Sequence, residues 1–325
     1  MDIIKTNTHI DFLGQRKLAL AVSAIILIVA IFSLFARGIN FGLDFTGGTL
    51  IEVTYPAAPD LIEVRDTLTE AGFDDFTVQT FGTATDIVVR IPADQGDEAG
   101  ADLSTVVLEA LSGASPDIDL RRVEFVGPQV GQELAEQGGL ALLYVIIGIL
   151  LYVSFRFQWR FAVGAVAALV HDVLLVVGVL SLLQVNFDLT VVAAILAVIG
   201  YSLNDTIVLY DRLRENFRVK RKGTPVELCN LSINQMLSRT LMTSLTTLLV
   251  LIALFYFGGE IIHAFAFTLI VGVVVGTYSS IYIAGTAALM LGVSKQDLMP
   301  VPKEGADQPD QETEILPERF RRGGA

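Results

Sequence analysis

Two adjacent polar pairs, His171-Asp172 and Asn204-Asp205, interrupt long apolar runs. An ionisable side chain at lipid depth costs about 2.5–3.5 kcal/mol on insertion scales, so each pair marks a candidate functional site. A third group, Arg239, opens a later apolar run, with Thr243, Thr246 and Thr247 following on the same helical face. A nearby guanidinium favours the ionised form of a buried carboxyl, whereas desolvation favours the neutral form. A movable Asp205–Arg239 pair is therefore a carboxyl whose proton affinity depends on conformation, the minimum for proton coupling. The structural alternatives are that Asp172 and Asp205 are hydrogen-bonding glue between helices, and that Arg239 is a snorkelling anchor. If the helix carrying Asp205 ended near Leu203, that carboxyl would be merely interfacial.

Other chemistries lack their residues. The histidines at 9, 171 and 263 do not cluster as zinc ligands, and the single Cys229 cannot close a disulfide within the chain. Gly47-Gly48 lacks the context of a phosphate loop, no nucleophile–base constellation stands out, and no cofactor is expected. The net charge of −13 argues against nucleic-acid binding. A hydrolytic enzyme is accordingly not expected.

The elements that must hold these residues are membrane helices. With 53% hydrophobic residues, 18% charged and a mean hydropathy of +0.61, the chain is too apolar for a soluble domain. Apolar runs long enough to cross a bilayer lie at 18–36, 138–155, 161–183, 189–210, 239–257 and 263–291. The last uncharged run, Ile261–Ser294, is too long for one upright span, so it is expected to be tilted, broken or continued past the bilayer. Thr268, Gly272, Gly276, Ser280, Ala284 and Ala288 make a smooth ridge along it.

Between the first two spans, residues 37–137 have the texture of a folded domain. β-Branched or alternating runs at Thr49–Tyr55, Thr77–Phe81, Asp86–Ile91 and Ile118–Phe125 alternate with helical patterns at Pro59–Ala71 and Asp94–Ser112. The β-α-β-β-α-β order predicts a ferredoxin-like α+β domain. The basic clusters at Lys5/Arg16/Lys17, Arg156/Arg160, 212–222 and Arg319/Arg321/Arg322 all fall on one side of six spans. That side should be the cytoplasm, leaving the 37–137 domain outside, its residues 38–137 carrying nineteen acids against Arg65, Arg90, Arg121 and Arg122. The remaining segments are a cytoplasmic tail at 1–17, a basic loop at 211–238, more simply a solvated connector than a lipid or nucleic-acid site, and a disordered cytoplasmic tail at 293–325.

Several strings together resemble the SecF family of the bacterial SecDF complex: FGLDFTGGT at 41–49, VGPQVGQEL at 126–134, HD at 171–172, YSLNDTIVLYDRLREN at 201–216 and SRTLMTSLTT at 238–247. The resemblance implies an RND-like, six-span inner-membrane subunit. It would pair with SecD, assist the SecYEG channel and SecA, and use the proton gradient to promote late translocation of unfolded preproteins. YajC is a further candidate partner. Within those motifs it singles out Asp44, Gly47, Gly48, Gly127, Pro128 and Gly131, and it ties proton passage to Asp205 and Arg239, the residues that burial and charge already select. His171 and Asp172 match the pattern too. A lone SecF half leaves a bundle face uncovered, and the ridge containing Gly272, Gly276 and Ser280 is expected to meet SecD. A scaffold without proton coupling, or half of an RND-type small-molecule exporter, are the alternatives. In the proton-driven reading the outer domain swings on connectors at Arg37–Asn40 and Gln132–Gly138.

Overall fold

The computed structural model describes residues 8–92, 100–115, 117–157, 159–220 and 223–293. Residues 1–7 and 294–325 of the expected tails therefore fall outside the described residues. Among the described residues, six helices are long and apolar enough to cross a membrane. The first, α1 (Arg16–Arg37), follows a 3-10 turn at Leu13–Gln15. Its small residues Ala19, Ser23, Ala30 and Ser33 face inward, and Leu18, Ile25, Phe32 and Phe35 face outward. The other spanning helices are α5 (Pro128–Arg156), α6 (Trp159–Leu183), α7 (Leu189–Val219) and α8 (Pro225–Phe257), followed by α9 (Glu260–Ser279). The last crossing is broken. After α9 comes a π-helical segment, Ser280–Ala284, and then α10 (Gly285–Met290).

Helices α1 and α6 run parallel and in register. Ser23 meets His171 and Ser33 meets Ser181, both pairs 148 residues apart, and Ala30 sits where a Cβ on Gly178 would be 2.2 Å away. Only small residues allow that approach.

The domain between α1 and α5 follows the expected order. A short helix α2 (Leu43–Thr46) leads into β1 (Gly48–Thr54), then α3 (Leu61–Glu70), β2 (Thr77–Phe81), β3 (Thr83–Ile91), α4 (Gly100–Ala114) and β4 (Asp119–Val126). The sheet is antiparallel in the order β2-β3-β1-β4, the ferredoxin-like arrangement. Alternate strand residues Ile51, Val53, Ile87, Val89 and Ile91 pack against Val64 and Leu68 of α3 and Val107 and Leu111 of α4. Asp60 caps α3 by accepting a hydrogen bond from the Ile62 amide at 2.8 Å.

At one end of this sheet's inner strands Asp86 accepts hydrogen bonds from Thr54 (2.5 Å) and Thr83 (2.8 Å), with Arg121 at 3.9 Å. These two hydroxyls, with the guanidinium adding a smaller effect, hold its carboxyl below the usual carboxylate range. A lowered folded value contributes stability that is present above the unfolded pKa and lost as pH falls through the folded one. Amide protection of the strands in the full chain should therefore fall in acid, as pH drops below the ordinary carboxylate range, and Asp86→Asn should flatten that fall.

Two boundaries differ from the sequence expectation. The basic segment 211–238 is largely helical, because α7 continues to Val219 and α8 begins at Pro225 behind a Thr224–Glu227 capping box. Charge marks where a helix leaves lipid; it does not end the helix. Asn216 bonds Ser232 (2.8 Å) and Gln235 (2.9 Å), joining the two extensions. Similarly, Gln132–Gly138 is no connector: α5 starts at Pro128 and passes straight through it. Asp205 consequently lies well inside a continuous helix, fourteen residues short of its end.

Candidate functional site

The buried polar groups form two sets with opposite hydrogen-bond status. In the first, His171 Nε2 meets the Ser23 hydroxyl, and His171 Nδ1 lies 2.8 Å from Asp172 Oδ1. The other carboxylate oxygen, Asp172 Oδ2, accepts from Ser202 at 2.5 Å. This chain joins α1, α6 and α7, and Asp172 is only 1% exposed. Both ring nitrogens and both carboxylate oxygens have partners, as buried polar groups require. A neighbouring run, Tyr201 to Ser244 (3.1 Å) to Thr277 (2.7 Å), extends the polar layer to α8 and α9.

Ser23, His171 and Asp172 have the connectivity of a nucleophile, base and orienting acid, a constellation the sequence did not suggest. Ser23 is mid-helix and 2% exposed. Backbone amides around it are used in helical bonds and cannot stabilise an oxyanion. The contact is an interhelical hydrogen bond.

The second set centres on Asp205. Its side chain enters a narrow gap lined by Ile233, Met236, Leu237 and Thr240 of α8 and by Ser280 and Ile281 of the π segment. The residue is 6% exposed, and Oδ2 is buried without a hydrogen-bond partner. The gap holds about 10 Å³, close to the room one water needs. Arg239 sits one residue before Thr240, on the exposed side of α8, and no ion pair joins it to Asp205; its charge acts across space. Asn204 also faces outward. Thr243, Thr246 and Thr247 do not enter the site, since each hydroxyl bonds a carbonyl of its own helix.

The π segment supplies part of this gap. Such a bulge shifts the helical register and displaces a carbonyl from its usual partner. Here the Tyr210 hydroxyl, fully buried, donates to Ala284 O at 2.9 Å.

The small-residue ridge faces inward, which corrects its expected role as the surface for SecD. A Cβ on Gly272 would fall 2.0 Å from Val198, and one on Gly276 would fall 3.0 Å from Ser202. Ser280 lines the Asp205 gap. The ridge thus holds the last span against α7. Gly272→Val should force the two helices apart and destabilise the bundle by about 1–3 kcal/mol. Thermal melts in detergent check this, with Gly148→Ala, whose Cβ would meet nothing within 4 Å, as the neutral control.

The two glycine-bearing motifs meet at the base of the outer domain. Gly47 has φ +68°, and an added Cβ would lie 3.1 Å from Pro128 Cα. Its amide in turn lies where a Cβ on Gly131 would be 3.0 Å away. Gly48, also at positive φ, starts β1, and Gly127 precedes Pro128 at the first turn of α5. Asp44 Oδ2 accepts from the Leu189 amide at 2.9 Å, capping the start of α7. Gly42 N donates to Phe187 O (2.7 Å) and Phe187 N donates to Asn40 O (2.8 Å). These residues build a joint between domain and bundle.

Residues 106–294 match the family described as "Protein export membrane protein SecD/SecF, C-terminal", and residues 32–55 match the "SecD/SecF GG Motif". The protein translocase subunit SecF of Pseudomonas aeruginosa is 54% identical over 91% of this chain and 96% of its own length. That of Vibrio alginolyticus is 52% identical over 94% and 98%. The chain belongs to the SecF family. Among solved structures, SecDF of Thermus thermophilus aligns with 89% of this SecF-family chain at 36% identity and a TM-score of 0.80. SecDF in a form titled super-membrane-facing aligns with 87% at 38% identity and a TM-score of 0.65. This SecF-family chain spans 39% of each of those SecDF chains.

Ser23, Ser202, Thr240 and Tyr210 are residues around the candidate site that sequence reasoning missed. For Ser23 one signal was available: its place among Ala19, Ala30 and Ser33 on the small face of α1.

Proposed function

We propose that this chain is the SecF half of a proton-driven pair with SecD, promoting late preprotein translocation through SecYEG and SecA. Asp205 is the proton-binding group. The observation that carries the reading is its unpartnered, buried Oδ2 in a gap with room for about one water. Oδ2 in that position lacks a hydrogen bond that would stabilise charge, so the carboxyl's protonation state responds to small rearrangements around it. His171 and Asp172, fully hydrogen-bonded, position α6 and α7 and do not carry the proton.

Arg239 and Asn204 support pairing with SecD. Both are exposed on the isolated bundle at the level of Asp205, where contact with lipid is costly. Along α7 the residues Ala193, Ala197 and Gly200 continue the same exposed stripe, a smooth surface for a second bundle. Partner contact with this stripe brings Arg239 under SecD's influence and moves it relative to Asp205. The membrane is the bacterial inner membrane, with the basic bundle end in the cytoplasm and the sheet domain in the periplasm.

The outer domain moves as the proton is exchanged. It pivots on the joint at Gly47, Pro128 and Gly131, and the uninterrupted α5 carries the movement into the bundle. Support comes from the two SecDF forms, to which this chain is nearly equally identical yet unequally superposable. Co-purification with SecD, followed by gradient-dependent export into inverted vesicles with Asp205→Asn and Arg239→Met, tests the reading. Loss of the gradient-dependent part with retained SecD binding supports it, and normal export in both variants removes it.

A further inference from the structure

At the bundle end opposite the sheet domain, an open groove of about 590 Å³ runs between the starts of α1 and α8 and the end of α10. Its walls are apolar, including Leu20, Val226, Leu289 and Met290, and its rim carries Arg16 and Lys17. The Arg16 side chain is half-buried, yet neither it nor that of Lys17 has an ion pair or hydrogen bond with a described residue. Asp11, the acid nearest in sequence, forms no ion pair with either, and its Oδ1 accepts from the Gly14 amide (2.9 Å) and from Asn230 (3.0 Å). Thr286 also lines the groove. It is 2% exposed, and its hydroxyl has no partner. That is unlike Thr243, Thr246, Thr247, Thr268 and Thr277, each of which bonds the carbonyl four residues earlier at 2.6–3.1 Å. Thr286 follows the π segment, whose altered register removes that carbonyl from its usual position.

We infer that this groove binds one anionic phospholipid, its phosphodiester on Arg16 and Lys17, an acyl chain along Leu20, Val226 and Leu289, and an ester oxygen within reach of Thr286. Two uncompensated cations beside apolar walls at a membrane-helix end match a ligand that is anionic at one end and apolar at the other. A free phosphate would leave the apolar length unfilled.

Native mass spectrometry of the detergent-purified full chain, titrated with phosphatidylglycerol or phosphatidylcholine, tests the site. One phosphatidylglycerol should be retained preferentially. Arg16→Gln/Lys17→Gln should weaken it about thirtyfold, from about fivefold per surface charge. Because those charges flank the first span and could affect its insertion, Val226→Trp provides a second variant that fills the groove with the charges intact. It should also lower retention, whereas Arg218→Gln, outside the groove, should not. Equal retention of phosphatidylcholine, or wild-type binding by both groove variants, would overturn the inference. So would displacement by glycerol phosphate alone, or a Val226→Cys cross-link that captures the acidic segment after Val293 in place of lipid.

Discussion

Asp205→Asn should eliminate the gradient-stimulated part of export while leaving SecD binding and folding intact. Asparagine matches the carboxyl in size, so packing against Ile233, Leu237 and Ser280 is kept. What is removed is the capacity to change charge. One proton crossing 100 mV releases about 2.3 kcal/mol, so a single coupled proton accounts for a stimulation of well over tenfold. The variant should therefore export at the rate that unmodified protein shows after the gradient is collapsed. Arg239→Met should give the same loss by another route, since it removes the charge that acts on Asp205 without filling the gap. His171→Gln should instead lower thermal stability, because it disturbs a satisfied network between α1, α6 and α7, and it should leave the gradient dependence of the residual export intact.

Tethering the outer domain should have an effect of similar size. Phe81 of the sheet and Asn186 of the α6–α7 loop line one cleft of about 490 Å³ between domain and bundle. Arg90 spans the same region, bonding Phe41 O at 3.0 Å. A Phe81→Cys/Asn186→Cys protein bridged by a short reducible bis-thiol reagent should lose export stimulation and regain it on reduction. The native Cys229 is fully buried and should not react. Full activity of the bridged protein would mean that the domain need not move. The uncoupling produced by Asp205→Asn would then require a lever elsewhere.

Much of this architecture was legible in the residues. The alternation of Ile51 and Val53 with polar neighbours, and the helical spacing of Val64 and Leu68, identify strand and helix because one face of each must be buried. The lipid-depth acids identify a site because charge in hydrocarbon is expensive. What escaped was relational. The ridge through Gly272 and Gly276 was visible as a smooth surface, but its partner, Val198 and Ser202 within the same chain, follows from how helices pack and not from spacing along one of them. Likewise, sequence could not separate the saturated Asp172 from the unpartnered Asp205, because the difference lies in Ser202 and His171 on one side and an apolar gap on the other. The π segment had no sequence mark beyond an uncharged run too long for one upright span. The helical extension through 211–219 is hidden by its charges, which give a loop and a solvated helix the same polar texture.

In the proposed cycle the Asp205 carboxyl alternates between neutral and ionised during turnover. Infrared difference spectroscopy of the SecD-bound protein in vesicles, with an imposed proton gradient, measures that directly. The account predicts a protonated-carboxyl C=O band that appears and vanishes with the gradient and is absent in Asp205→Asn. A spectrum without that band in any phase, with Asp205 ionised throughout, would contradict it.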